Sequence, residues 1–296
     1  MQFQFRHVVP TALLLAAAVG CSGTGTQDPS SDAPEPESSP VAEAPETTII
    51  AHRGASQDAP ENTVPAFDAA VEAGADLVEV DVQLSADGVP FLFHDDTPER
   101  TTDVAGVFPD RIDDPITSFT WEELQQLDAG AWFSPEFEGT SIPALDEVAE
   151  TVGPDLGVDI EMKSPENSPG LAEAVAEALG TEVWAELVAD DLVVVSSFDT
   201  EATRAFHEAL PDVPVWPIIG EIPDQAWVDG VADYATGIAA DHQSLTPETY
   251  AYAEAADLPV FAWTVNYTND LPDLVELGVA GIVTDAPAFI GGALGR

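Results

Sequence analysis

A chain of 296 residues with 45% hydrophobic side chains can bury a full core, which excludes a wholly disordered protein. Its 55 acidic residues against 7 Lys and Arg give a formal net charge of -48. That balance excludes attraction to nucleic-acid phosphates or to anionic lipid through a basic surface, and it predicts self-repulsion that salt relieves, as in a chain suited to high salt.

Residues 1–20 carry Arg6, an apolar run from Val8 to Val19, and then Gly20-Cys21. The run is shorter than the roughly 20 residues that a spanning helix needs, and its shape is that of a secretory signal peptide. Cys21 is the only cysteine, so no intrachain disulfide is expected. The stretch Ala18-Val19-Gly20-Cys21-Ser22 resembles a bacterial lipobox, with Ala18 where Leu is usual. We expect cleavage before Cys21, lipid on its sulfur, and anchorage on the outer side of the bacterial membrane. Plain secretion is the alternative. Residues 21–46 are rich in Ser, Thr, Gly, Pro, Asp and Glu, too polar to offset their ordering entropy, and read as a disordered tether. The folded unit then spans 47–296, which is about the size of a (β/α)8 barrel.

Within it, short apolar runs alternate with helical patterns, the mark of βαβ units and a parallel sheet. Predicted strands are 48–52, 76–82, 156–161, 192–197, 213–219, 235–240, 259–264 and 281–284. The first helix is capped by Asn62 or Thr63, carries a stripe of Val64, Phe67, Ala70 and Val71, and stops at Gly74. Others fit 142–152, 168–179, 200–209, 246–256 and 269–277. Eight strands alternating with helices predict a (β/α)8 TIM barrel. One run, Val89-Pro90-Phe91-Leu92-Phe93, follows Leu84 too closely for a parallel crossover, so it pairs antiparallel through an Asp87-Gly88 turn. If Ala86 pairs with Val89, partner numbers sum to 175 and His94 lies opposite Asp81. Residues of about 85–140 then form a small insertion lobe after the second strand, with one short helix near 120–127.

Four polar clusters fall at strand C-termini or in the hairpin, where TIM barrels place their sites. They are His52-Arg53-Gly54, Glu79-Val80-Asp81, His94-Asp95 and Glu161-Met162-Lys163. Glu79 and Asp81 are two apart on a strand and point the same way. With Glu161 from the next strand they offer oxygens suited to a hard divalent cation, Ca²⁺ or Mg²⁺. Solvated acids in an acid-rich chain are the plain alternative. Arg53 and Lys163 adjoin these groups in a chain poor in bases, which suits an anionic ligand such as phosphate, or structural ion pairs. His52 and His94 are the candidate acid and base. His242 follows a strand and is a candidate for the pocket lining; His207 lies mid-helix and reads as a surface residue.

The ordered set of motifs resembles the glycerophosphodiester phosphodiesterases. It runs through His52-Arg53-Gly54-Ala55, Pro60-Glu61-Asn62-Thr63, Val78-Glu79-Val80-Asp81-Val82, Asp87-Gly88, Phe93-His94-Asp95 and Arg100-Thr101-Thr102. Ile160-Glu161-Met162-Lys163, Val195-Ser196-Ser197-Phe198, Trp263-Thr264-Val265-Asn266 and Gly281 to Pro287 continue it. The resemblance implies a TIM barrel with an insertion after its second strand and one divalent cation on Glu79, Asp81 and Glu161. It further implies phosphate held by Arg53 and Lys163, acid/base work by His52 and His94, a pocket wall at Trp263, and an orienting role for Asn62. Glu61 is a further ligand or only a neighbour of the helix cap. The implied reaction is hydrolysis of a glycerophosphodiester to sn-glycerol 3-phosphate and an alcohol. The glycerol 2-hydroxyl attacks phosphorus to give a cyclic phosphate that water opens, or water attacks directly. Related alternatives act on lysophospholipid, teichoic acid or phosphoinositides. A surface lipoprotein that binds a glycerophospho-compound without turnover is a second alternative. A carboxylate-pair glycosidase is weaker, because it leaves both histidines, Arg53 and Lys163 without a task.

Overall fold

The computed structural model describes residues 47–296. The expected signal peptide, Cys21 and the tether lie outside the described residues. Within them, eight parallel strands close into a barrel: β1 (Thr48–His52), β2 (Leu77–Leu84), β4 (Gly157–Met162), β5 (Val193–Ser197), β6 (Val215–Ile219), β7 (Ile238–Asp241), β8 (Val260–Trp263) and β9 (Gly281–Thr284). β3 (Pro90–Leu92) is the antiparallel extra strand. The barrel closes because β1 pairs with both β2 and β9. Helices follow the strands: α1 (Val64–Glu72), α2 (Leu145–Val152), α3 (Leu171–Leu179), α4 (Thr200–Ala209), α5 (Gln225–Val231), α6 (Pro247–Glu254), α7 (Leu271–Leu277) and α8 (Pro287–Leu294). The predicted TIM barrel is the observed one. Helices α5 and α8, a five-residue helix at Ala185–Ala189 and a second short helix in the insertion, Val104–Val107, went unanticipated. They are brief, and Gly230, Gly291 and Gly292 interrupt the stripes of two of them. Among the described residues no helix is long and apolar enough to cross a membrane.

Alternation along the strands separates two layers. Ile49 and Ala51, then Val78, Val80 and Val82, then Val158, Ile160 and Met162 pack outward against the helices. Ile50, Val194, Trp216, Ile218, Ala239, Phe261 and Val283 fill the barrel interior, where the Trp216 and Phe261 rings stack at 3.7 Å. That plug closes the barrel's lower part, so polar side chains gather near the strands' C-terminal ends.

β2 outlasts β1 by several residues, and its last part has a free edge where β1 ends. β3 pairs with that edge, Val82 with Leu92 and Leu84 with Pro90. Partner numbers therefore sum to 174, one less than the Asp87-Gly88 pairing predicts. The cause is the turn: Ser85 N–H donates to Val89 O (3.0 Å) and Gly88 N–H to Ser85 O (2.9 Å). Three residues form the loop, and Gly88 takes the left-handed conformation at φ +83° that such a loop needs. Phe93 rather than His94 lies opposite Asp81, its N–H bonded to Asp81 O at 3.0 Å. His94 is carried one step further, over the barrel mouth. The insertion has its own small core of Phe91, Phe93, Val104, Ile116, Phe119, Leu124 and neighbours. The short helix expected near 120–127 is Trp121–Leu124, started by a Thr120/Glu123 capping box.

Candidate active site

Glu79, Asp81, Asp159 and Glu161 all face inward, because β2 and β4 run in register with Glu79 beside Asp159 and Asp81 beside Glu161. Oxygens of Glu79, Asp81 and Glu161 lie within 4.8 Å of one another. Burial and the charges of Asp81 and Glu161 push the Glu79 carboxyl well above its usual range. Burial and Asp81 push Glu161 up to about 7, against the pull of Lys163. Burial alone would raise Asp81 too, but the charges of Arg53, Lys163 and His94 and the Asn62 hydrogen bond outweigh it and hold Asp81 low. Asp159 sits a layer lower, accepts a 2.6 Å bond from Ser196 Oγ, and is pushed up to about 7 by burial.

Two oxygens of this cluster, Glu79 Oε1 and Asp81 Oδ1, are buried with no hydrogen-bond partner. Buried lone pairs left this way are costly. A hard cation ligated by oxygen satisfies both and relieves the repulsion that raises Glu79 and Glu161. The donor set therefore fits a divalent cation.

Cations surround the cluster. The Arg53 N–H donates to Glu79 Oε2 at 2.8 Å and its Nη1 to Glu61 Oε1 at 2.9 Å, while Nε stands 3.2 Å from Asp81 Oδ2 as an ion pair. Lys163 Nζ donates to Glu161 Oε1 at 2.9 Å and stands 3.5 Å from Asp81 Oδ1. Asn62 clamps Asp81 from both sides: its Nδ2 donates to Oδ2 (2.8 Å), and its Oδ1 accepts the Asp81 N–H (3.0 Å). Asn62 thus fixes the Asp81 carboxylate, while Thr63 occupies the cap position of α1 without a side-chain cap bond. Glu61 precedes the Thr63 cap by two residues and stands outside the Glu79, Asp81 and Glu161 group of oxygens. It is the counter-ion of Arg53 and Arg100.

Each candidate acid/base has a carboxylate on Nδ1. His52 Nδ1 lies 2.6 Å from Asp285 Oδ1, and His94 Nδ1 lies 2.7 Å from Asp95 Oδ1. Each contact fixes a ring and leaves Nε2 as the nitrogen for chemistry. Asp285 is fixed in turn by Asn266 Nδ2 (2.5 Å) and Ser56 Oγ (3.1 Å). Burial raises its pKa, but the His52, Asn266 and Ser56 contacts outweigh that and hold it low. These orienting partners were not assigned roles from the sequence, although Asp95 and Asp285 stand inside the quoted motifs.

A cavity of about 160 Å³ brings His52, Arg53, Glu79, His94, Glu161, Lys163 and Trp263 together, with Asp159 and Phe198 as lining residues that the sequence did not single out. Phe198 meets Trp263 edge-on at 5.4 Å and is half exposed at the mouth. Its signal was its place just past β5. Asp81 and Asn62 stand behind the lining, 1% and 3% exposed. His242 is the exception. It does not line this cavity: its Nδ1 contacts the Trp263 carbonyl at 3.2 Å, and its Nε2 faces Asp270 at 3.7 Å. β7 ends at Asp241, and His242 opens the 3-10 turn that follows it. His207 lies on α4 as expected, near the Tyr234 ring.

A TIM barrel whose C-terminal mouth joins three carboxylates, two cations and two carboxylate-backed histidines defines a barrel enzyme equipped for phosphoester chemistry. Comparison with known proteins gives the family. A sequence model of the Glycerophosphoryl diester phosphodiesterase family matches residues 52–289. The glycerophosphodiester phosphodiesterase of Caldanaerobacter subterraneus is 35% identical over 243 residues, covering 81% of this chain and 95% of that protein. YhdW of Bacillus subtilis is 37% identical over 246 residues, covering 82% and 96%. An Oleispira antarctica phosphodiesterase, solved in complex with the product sn-glycerol-3-phosphate, superposes with a TM-score of 0.76 at 30% identity, over 84% of this chain and 97% of that one. The chain belongs to the glycerophosphoryl diester phosphodiesterase family and is an enzyme of that phosphodiester-hydrolase class.

Proposed function

We propose that this chain hydrolyses glycerophosphodiesters to sn-glycerol 3-phosphate and an alcohol, by acid/base catalysis between His52 and His94. The observation that carries the reading is that both rings, each backed by a carboxylate on Nδ1, face one cavity with the Glu79, Asp81 and Glu161 cluster. Those three carboxylates would hold one divalent cation, Ca²⁺ or Mg²⁺, which when bound would supply Lewis-acid polarisation. Arg53 and Lys163 bind the phosphoryl oxygens, the first as a fork and the second as a point charge, and offset their negative charge. One histidine takes the proton of the 2-hydroxyl through Nε2 as that oxygen attacks phosphorus. The other protonates the departing alkoxide, and water opens the resulting cyclic phosphate. Trp263 walls the cavity, and the plug of Trp216, Phe261 and Ile218 closes the barrel below.

The test is a phosphodiester panel with products resolved, run with and without chelator. We expect sn-glycerol 3-phosphate plus free alcohol, lost on chelation. General acid/base help is worth about 10²–10⁴-fold per group, so His52→Ala and His94→Ala should each nearly abolish turnover in a folded protein. Near-normal turnover in either variant refutes the two-histidine mechanism. Lysophosphatidic acid or a cyclic inositol phosphate as product assigns a related substrate instead. Export as a lipoprotein belongs to the same proposal and rests on the apolar run before Gly20-Cys21. A mature N-terminus lacking diacylated Cys21 by mass spectrometry removes it.

A further inference from the structure

Arg100 follows His94-Asp95 in the insertion lobe, and its guanidinium joins two carboxylates that serve different parts of the site. Its Nη1 and Nη2 donate to Oε2 and Oε1 of Glu61 at 2.8 and 2.7 Å. Its Nε and Nη2 donate to Oδ2 and Oδ1 of Asp95 at 2.6 and 2.8 Å. Each carboxylate has a second bond. Glu61 Oε1 also accepts from Arg53 Nη1 at 2.9 Å, and Asp95 Oδ1 also holds His94 Nδ1 at 2.7 Å. A continuous line of hydrogen-bonded groups therefore runs Arg53, Glu61, Arg100, Asp95, His94. Arg100 is 45% exposed, but Glu61 and Asp95 are only 13% and 22% exposed, and the geometry is bidentate on both carboxylates. The Trp132 ring lies 5.9 Å from the guanidinium carbon. Gln83, buried on β2, adds bonds to the carbonyls of Phe93 (2.7 Å) and Asp95 (3.2 Å), so the Asp95 backbone is anchored to the barrel.

We propose that Arg100 is a positioning residue that fixes the phosphate-gripping Arg53 and the acid/base His94 relative to each other, without itself touching substrate. The inference rests on the two-histidine reading above. A guanidinium is a rigid planar fork, so two bidentate carboxylates are held at one separation and one angle. An ammonium is a point charge that cannot impose that geometry. The charge inventory points the same way. Only 7 Lys and Arg occur in a chain of net charge -48, and Arg53, Arg100 and Lys163 all stand at this one face. Burial pushes Asp95 up, but its His94 and Arg100 contacts outweigh that and hold it below the usual range. A nearby arginine provides the internal comparison. Arg111 forms a similar fork in the same lobe, to Asp114 (2.8 Å) and Glu123 (3.0 Å), and lies 3.7 Å over Phe119. No partner of Arg111 reaches His94 or Arg53, so it braces the lobe alone.

The test is steady-state kinetics on a glycerophosphodiester with the purified full chain, alongside thermal melting. Misplacement of a catalytic group can cost about 10²-fold, so Arg100→Met is expected to lose about 10²-fold in kcat. Arg100→Lys keeps the charge but not the fork and should lose about tenfold. Arg111→Met is expected to lower the melting temperature while kcat stays at the wild-type value. Arg100→Met combined with Asp95→Asn should be no slower than Asp95→Asn alone within about threefold, since residues acting as one unit are not additive. Wild-type kcat in Arg100→Met overturns the proposal, as does an equal fall in Arg111→Met or multiplication of the two losses. A raised KM at unchanged kcat also overturns it, because misplacement of His94 must slow turnover. Should Arg100→Met fail to fold, wild-type kcat in Arg100→Lys overturns the proposal alone. A His94→Ala control separates the two readings. Full activity there defeats the two-histidine mechanism, whereas its loss there beside a fully active Arg100→Met defeats only the role given to Arg100.

Discussion

Glu79, Asp159 and Glu161 are carboxyls that the folded protein prefers to keep protonated, and this has a consequence for stability. A carboxyl whose folded pKa lies above its unfolded value favours the native state at low pH, and that advantage disappears as pH rises through the folded value. For Asp159 the values are 3.8 unfolded and about 7 folded; for Glu161 they are 4.5 and about 7. The cation-free protein should therefore melt at a lower temperature at about pH 8 than at about pH 5. A divalent cation on the cluster would replace the protons of Glu79 and Glu161, so its stabilisation should be larger at the higher pH. Melting with chelator, Ca²⁺ and Mg²⁺ across that range is the measurement. A chelated protein equally stable at both pH values, or a cation shift independent of pH, contradicts the proposed ligand set. These residues also show how far one-dimensional reading reaches. Strand alternation puts Glu79 and Asp81 on one face, and parallel register adds Glu161. Asp285 and Asn266 were out of reach as orienting groups: Asp285 meets His52 across 233 positions, only because β9 closes onto β1.

Among the elements, the β1–α1 connection is the most constrained. Gly54 has φ +86°, and a Cβ there would stand 2.6 Å from Ala66 Cβ and 2.7 Å from the Ala66 carbonyl carbon and oxygen. The obstacle is helix backbone, which cannot yield unless α1 moves, and Asn62 moves with it. A left-handed non-glycine costs about 1–2 kcal/mol and overpacking about 1–3. Gly54→Ala should then lose roughly 2–5 kcal/mol by denaturant titration and lose activity through displaced Asn62 and Arg53. A variant within about 0.5 kcal/mol of wild type, the range of neutral surface changes, refutes the packing argument. The β2–β3 hairpin shows an element that sequence located and tertiary contacts adjusted. Asp87-Gly88 marked the turn, yet two- and three-residue loops share that signature. The Ser85–Val89 closure chose the longer one and moved every partner by a single position.

At the scale of the whole molecule, charge dominates. A net charge of -48 lowers stability by self-repulsion, and the Debye length contracts from about 10 Å at 0.1 M salt to about 3 Å at 1 M. The melting temperature and kcat/KM should both rise over that range in NaCl. If neither changes, the link between acidity and salt is wrong. The sequence by itself determined the barrel, the insertion and the polar clusters that meet at the barrel mouth, because β-strand alternation and strand-end position are local properties that a linear pattern encodes. The true hairpin register, the place of His242 away from the cavity lining and the Glu61–Arg100–Asp95 tie were decided only by tertiary structure. Each depends on where a loop or a distant strand comes to rest, and that is set by packing between residues far apart in the chain.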